Sequence, residues 1–191
     1  MWGRNQILEY IKENLKESRY IHTLGVAQSA IELAKINNVN QDRVEVAALI
    51  HDCAKNMPVD EMYRILEENN YEIDEVMKAS PQLLHGKVGA IIGNTIMGIE
   101  DEEILSAVEF HTTGKKDMTT IEKIIYIADY IEPNRNYPGI EFLRKTTFED
   151  LNEGVLQGLS NTITYVVKNG LLIHPLSVEA RNYLIQEKNN S

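Results

Sequence analysis

The sequence predicts an all-α fold, on three observations. Apolar residues recur at helical spacing along nearly the whole chain, polar or Pro/Gly-containing breaks separate these stretches, and no alternating run exceeds a few residues. Residues 5–15, "NQILEYIKENL", place Ile7, Leu8, Ile11 and Leu15 on one face of an amphipathic helix. Ser18 is positioned to cap a second helix over 19–36, with Ile21, Leu24, Ala27 and Ile31 as its stripe. After the polar break "NNVNQD", a third helix is expected over 43–56, "RVEVAALIHDCAKN". Pro58 and Asp60 open a fourth, "DEMYRILEENN". A short helix and a Ser-Pro break then precede a helix of small residues from about Gly86 to Met97. "EDEEILSAVEFHTTG" and "TTIEKIIYIADYIEP" are two more, the first with acidic residues that suit its N-terminal dipole. "PNRNYPG" is a loop by composition. Thr147 with Asp150 resembles a capping box for a helix over 148–169 that stops at Gly170, and a last helix follows Ser177.

A chain of 191 residues, 43% hydrophobic and 25% charged, suits one domain over 1–191 with its own core. The net charge of −10 argues against a duplex nucleic-acid binder, which must neutralise many phosphates with Lys and Arg. It leaves room for a small phosphorylated ligand, because a metal or a few local cations can supply positive charge. The single cysteine, Cys53, rules out an internal disulfide and a thiolate zinc site, and its neighbours Asp52 and Ala54 offer no activation, so a buried filler is expected. No apolar run approaches the roughly 20 residues of a membrane span, and the N-terminus is not a signal peptide. A cytoplasmic protein without a membrane or nucleic-acid partner is expected. The first or the last helix could support a homodimer, and nothing in the sequence decides it.

The chemistry lies in the interruptions of apolar helices. In "ALIHDCAKN" an imidazole and a carboxylate, His51 and Asp52, stand side by side where core residues are expected. His22 lies one position beyond Ile21, His85 just before Gly86, and His111 just after Phe110. Asp129 follows the apolar "IIYIA", where an unpaired carboxylate is expensive to bury. Taken singly, each is a satisfied core residue. Taken together, four such histidines and two such aspartates point to a shared cation, which neutral imidazoles and carboxylates both ligate.

The order His22, His51-Asp52, Asp129 resembles the signature of the HD-domain metal-dependent phosphohydrolases, which are helical bundles with a buried metal site. His85 and His111 fall between the pair and the last Asp, as in the dinuclear members. The blocks "SRYIHTLGV", "HDCAK", "LLHGKVGA", "HTTG", "IADYIEPNRNYPG" and "NGLLIHP" span Ser18 to Pro175 and together resemble the YqeK-like symmetrical bis(5′-nucleosyl)-tetraphosphatases. The resemblance implies hydrolysis of diadenosine tetraphosphate to two ADP by a water activated between two ions. The implied dinuclear centre is of iron, with manganese or another divalent metal as the substitute. Asp52 would bridge the ions; His22, His51 and Asp129 would complete one, and His85 and His111 would hold the other.

Polyphosphate hydrolysis also needs cations for the phosphoryl oxygens. Lys55, three residues after Asp52, and Arg19, three before His22, can look into the same site. Arg135, in the loop after Asp129, suits a bidentate phosphate contact, and Thr112 could donate its hydroxyl. Leu172, Ile173, His174 and Pro175 resemble the family's nucleotide-contacting turn, which implies a dinucleoside polyphosphate or ADP-like ligand. Tyr130 and Tyr137 could stack on a base, though among nine tyrosines packing is the default. Alternatives with the same metal logic are a nucleotidase or triphosphohydrolase on another nucleotide, a di-iron oxygenase, and a nucleotide-binding sensor with little turnover. Lys55 and the arginines favour phosphate over a neutral polyol.

Overall fold

In the computed structural model, which describes residues 1–190, eleven α-helices form and no strand does. In chain order they are α1 (Arg4–Asn14), α2 (Glu17–Ile36), α3 (Gln41–Ile50), α4 (Val59–Glu68), α5 (Glu75–Ala79) and α6 (Leu84–Thr95). Then come α7 (Glu102–Glu109), α8 (Thr120–Ile131), α9 (Ile140–Glu149), α10 (Leu151–Lys168) and α11 (Pro175–Asn190), with a 3₁₀ turn at Pro81–Leu83. The middle of the bundle is α2, α3, α7 and α8: α2 packs on both α3 and α8, and α7 also touches both. On one side α6 covers α7 and carries α4; on the other α10 lies on α8, flanked by α9 and α11.

The core explains the order of the layers. α8 is apolar almost all round, with Ile121, Ile124, Ile125, Tyr126, Ile127 and Ala128 all buried, as a helix enclosed by neighbours must be. Its start is fixed by a capping box between Thr119 and Glu122. The buried Glu122 carboxylate also takes Lys115 Nζ at 2.8 Å, so no bare charge is left inside. α2 contributes its small residues Gly25, Ala27, Ser29, Ala30 and Ala34, which let α3 and α8 approach closely.

That packing corrects the expected stripe of α2. Ile21 and Leu24 are 48% and 37% exposed, because the small-residue face rather than the bulky one is turned inward. Other boundaries move as well. Ser18 lies inside α2, whose N-cap is Lys16, so it caps nothing. α3 stops at Ile50, six residues short of the expected end. From there the chain tightens into successive three-residue turns, with Cys53 N donating to Ile50 O and Lys55 N to Asp52 O. The capping box at Thr147 does not form: Thr147 is buried within α9, a helix the sequence pattern does not announce, and Asp150 itself caps α10 through Glu153 N. α10 does end before Gly170, at φ +64°. α11 begins at Pro175, two residues ahead of Ser177.

Two positions test this packing directly. A Cβ on Gly86 would stand 2.6 Å from the backbone oxygen of Glu109, where α6 crosses α7, and no flexible side chain is there to yield. Gly86→Ala is expected to cost about 1–3 kcal/mol and to lower the thermal midpoint by roughly 2–10 °C in a calorimetric scan. Cys53 is 3% exposed, and burial, with the charge of Asp52, pushes its thiol up to about 12. At pH 8 the native protein should react with a disulfide reagent on the order of a thousandfold more slowly than the unfolded chain. Prompt labelling of the native state would mean that this part of the core opens readily.

Candidate metal centre

Five helices deliver side chains to one place. His22 comes from α2, His51 and Asp52 from the end of α3, His85 from the first turn of α6, His111 from just past α7, and Asp129 from the last turn of α8. The four imidazoles and Asp52 are buried, and the Asp129 side chain keeps 21% exposure. α3, α7 and α8 all point their C-terminal ends here. Free carbonyls at those ends carry partial negative charge, so the spot favours a cation before any side chain is counted.

Three of the histidines are held by one local device. His51 Nδ1 donates to the carbonyl of Ala48 at 2.7 Å, His85 Nδ1 to that of Gln82 at 2.5 Å, and His111 Nδ1 to that of Val108 at 2.7 Å. Each acceptor lies three residues back in the chain. His22 Nδ1 instead meets the carboxylate of Glu132 at 3.2 Å. A carbonyl or carboxylate partner requires the proton on Nδ1, so every neutral ring presents a bare Nε2.

Those four Nε2 atoms converge on acceptors. His22 Nε2 lies 2.9 Å from Asp129 Oδ1 and 3.8 Å from Asp52 Oδ2. His51 Nε2 lies 3.4 Å from Asp52 Oδ2. His85 and His111 approach the other oxygen, Asp52 Oδ1, at 3.0 and 3.6 Å, and their Nε2 atoms are 3.0 Å apart. Lone pairs facing lone pairs repel. His22 Nε2, His51 Nε2 and Asp52 Oδ1 are buried without a hydrogen-bond partner; the short approach of His22 to Asp129 lacks the alignment of a bond. Such orphaned acceptors cost free energy unless a cation sits among them.

The donor set fits a divalent metal. His22, His51 and Asp129 bring one atom each within 4.8 Å of one another, and so do His51, Asp52 and His111. Titration directions agree. Burial alone would push His51 down, yet Asp52 beside it raises its pKa overall. Burial would raise both carboxyls, but His51 and the close His111 and His85 rings hold Asp52 well below its usual range. The close approach of His22, with His51 and Arg135, does the same for Asp129. His85, by contrast, is driven down to about 4 by burial and stays a neutral donor.

Three cations rim the cluster. Arg19 Nη1 donates to Asp52 Oδ2 at 2.9 Å. Arg135 grips Asp129 twice, through Nη2 to Oδ1 at 2.7 Å and Nε to the carbonyl at 3.0 Å. Lys55 Nζ stands 3.2 Å from His85 Nε2 and 3.9 Å from Asp52 Oδ1. Thr112 adjoins His111, half-buried, with its hydroxyl unbonded. The turn Leu172, Ile173, His174, Pro175 makes no hydrogen bond or ion pair with the cluster. His174 is buried, its Nε2 bonded to Asp74 Oδ2 at 2.9 Å and its Nδ1 accepting from Leu176 N, while Leu172 is exposed.

The sequence reading missed Glu132. Its carboxylate is 2% exposed, holding His22 with Oε1 and accepting Asn134 N and Nδ2 on Oε2 at 2.7 and 3.0 Å. Gly25 makes room for it, since a Cβ there would stand 2.4 Å from Oε2. The available signal was its spacing: an acid three residues after Asp129 shares the face of α8 that carries that aspartate.

This cluster and the helical frame around it define a class, the HD domain, whose family model matches residues 19–134. A symmetrical bis(5′-nucleosyl)-tetraphosphatase of Halalkalibacterium halodurans is 41% identical over 97% of this chain and 99% of its own length. One of Bacillus subtilis is 39% identical over 96% and 98%. The crystal structure of a predicted HD superfamily hydrolase involved in NAD metabolism, from Clostridium acetobutylicum, superposes with a TM-score of 0.95 at 44% identity, covering 98% of this chain and 99% of that one. The chain belongs to the HD-domain family, in the group whose relatives are named symmetrical bis(5′-nucleosyl)-tetraphosphatases.

Carboxylates that orient a ligating histidine typically contribute 10–100-fold to metal affinity. Glu132→Ala should therefore weaken Mn²⁺ binding by about that factor, measured by competition with a chelating dye, while far-UV circular dichroism is unchanged. Glu132→Gln, which keeps an acceptor for His22, should lose less. Equal affinity in all three proteins would make Glu132 a packing residue only.

Proposed function

We propose that this protein is a metal-dependent hydrolase that cleaves dinucleoside tetraphosphates at the central phosphate bridge, taking diadenosine tetraphosphate and water to two ADP. The observation that carries the reading is the buried cluster of four imidazoles and two carboxylates whose facing atoms are all acceptors, rimmed by Arg19, Lys55 and Arg135. The names of relatives 41% and 39% identical over nearly the full chain support the substrate class. No helix of the described residues is long and apolar enough to cross a membrane, which accords with a water-borne nucleotide substrate.

His22, His51 and Asp129 would hold one ion and His85 and His111 a second, with Asp52 shared, since its two oxygens face the two groups. Two divalent ions bound there would supply an acidified water and neutralise phosphoryl oxygens. A nitrogen-rich donor set with carboxylates and no thiolate would suit iron or manganese better than magnesium. Cys53 stays out of the set, because its Sγ faces the carbonyl of Gly89.

The remaining work falls to the rim. Arg19 and Arg135 have planar forks that match phosphate oxygens, and each is parked on a cluster carboxylate. From there each guanidinium would turn to a phosphate oxygen of the substrate. Lys55 is 31% exposed and lies beside His85, where it can meet the charge that grows on the departing phosphate.

Product analysis tests the reading. Protein reconstituted anaerobically with Fe²⁺, and separately with Mn²⁺, is given diadenosine tetraphosphate, and the nucleotides are resolved by ion exchange. ADP alone is expected, with the rate falling about 100-fold or more in Asp52→Ala. ATP plus AMP would mean an asymmetrical cut and a wrong register for the phosphate contacts. No product with either metal would reject the substrate class.

A further inference from the structure

We infer that a tyrosine-lined cleft beside Asp129 seats one of the substrate's two nucleosides and thereby sets which phosphate bridge lies over Asp52. The inference rests on the dinucleoside tetraphosphate reading above and adds a subsite to it. The cleft encloses about 450 Å³, within the range of small-ligand sites. Tyr130 and Tyr137 form one wall; Asn161, Thr164, Tyr165 and Lys168 of α10 form the other. Counted from Asn161, the other α10 positions lie three, four and seven residues on, so the four share one helix face.

The first wall is continuous with the cluster. Tyr130 follows Asp129 in α8, and the Tyr137 hydroxyl donates to the carbonyl of Tyr130 at 3.2 Å. Between the two tyrosines in sequence, Arg135 reaches back to Asp129. A single segment, 129–137, thus carries a cluster carboxylate, a guanidinium and two aromatic rings. The Tyr130 hydroxyl meets Thr162 Oγ1 at 2.5 Å, which fixes that ring against α10. The second wall is unspent. Tyr165 is 63% exposed with no hydrogen bond from its hydroxyl, and Lys168 has no ion pair although the chain carries a net charge of −10.

Its position argues for a nucleoside as the occupant. The cluster is elongated, with His85 and His111 at one end, Asp52 between, and His22 with Asp129 at the other. After α10 the chain runs toward the first end: His174 is tied to Asp74, the N-cap of α5, which leads through the 3₁₀ turn to His85. The cleft lies nearer the second end by its wall, since Tyr130 follows Asp129 in α8 and Tyr137 bonds back to Tyr130. A tetraphosphate with its central bridge over Asp52 extends a nucleoside past each end, and a base offers the π-face that tyrosines stack on.

Tyr165→Ala and Tyr165→Phe, in the full chain reconstituted with Mn²⁺, test the subsite with two substrates. Diadenosine tetraphosphate has both nucleosides; adenosine 5′-tetraphosphate lacks one. Water adding across the central bridge gives two ADP from the first, and ADP plus pyrophosphate from the second. Tyr165→Ala should raise KM for the dinucleotide on the order of tenfold and change that of the mononucleotide little, because its one nucleoside can still take the other end. Tyr165→Phe, which keeps the ring, should behave as wild type. An unchanged KM for the dinucleotide in Tyr165→Ala would overturn the inference. So would a shifted sedimentation coefficient with unchanged kinetics, which would make this face a contact between copies of the chain. Wild-type protein that cuts neither substrate would overturn the parent reading as well, whereas active wild type with indifferent variants overturns the cleft alone.

Discussion

The grip of a backbone carbonyl on an imidazole three residues later is the interaction on which the centre depends. It occurs at Ala48–His51, Gln82–His85 and Val108–His111. For His51 and His111 the carbonyls belong to the last turns of α3 and α7, where they have no helical partner. One bond therefore does two things. It satisfies a carbonyl that burial would otherwise orphan, and it fixes the proton on Nδ1 so that Nε2 faces inward. Because each bond is local, the orientation of each ring follows from its own helix end and needs no distant partner. The bundle has only to bring the ends together, and the contacts of α2 with α3 and α8, and of α7 with both, do that.

His22 stands apart, and its difference shows the rule. It lies within α2, where the carbonyls are already committed to helical bonds, so no local acceptor is free to hold Nδ1. A side chain from another element has to serve, and Glu132 serves from the end of α8. Housing that carboxylate requires Gly25 on α2 to lack a side chain and Asn134 to occupy its second oxygen. A ligand placed in mid-helix thus costs three further residues, whereas one placed at a helix end costs none.

The sequence disclosed the parts of this arrangement that are written as breaks in a pattern. Histidines and aspartates inside apolar helices stand out, and the six so identified are the six that meet. Helix existence was legible for the same reason, through spacing. What stayed hidden depends on packing. The inward face of α2 is small rather than bulky, so hydrophobic periodicity pointed to Ile21 and Leu24, which are exposed. α9 was hidden because its start follows the loop at Gly139 and its inward residues Ile140, Leu143 and Thr147 make a thin stripe. Glu132 looked like the acidic end of a helix, since nothing in one dimension tells that Gly25 lies opposite it.

The charge distribution gives the last constraint. A chain at −10 repels polyanions in general, yet its buried centre is framed by Arg19, Lys55 and Arg135. Fields from dispersed surface acids are screened beyond a Debye length of about 8–10 Å, while partly buried charges in low dielectric act strongly at short range. A long nucleic acid must cross the acidic exterior with many phosphates at once. A short polyphosphate exposes only a few charges before it reaches the three cations, so the repulsion it meets is small and the attraction is local. The local positive frame of the centre therefore follows from where Arg19, Lys55 and Arg135 sit rather than from the net charge.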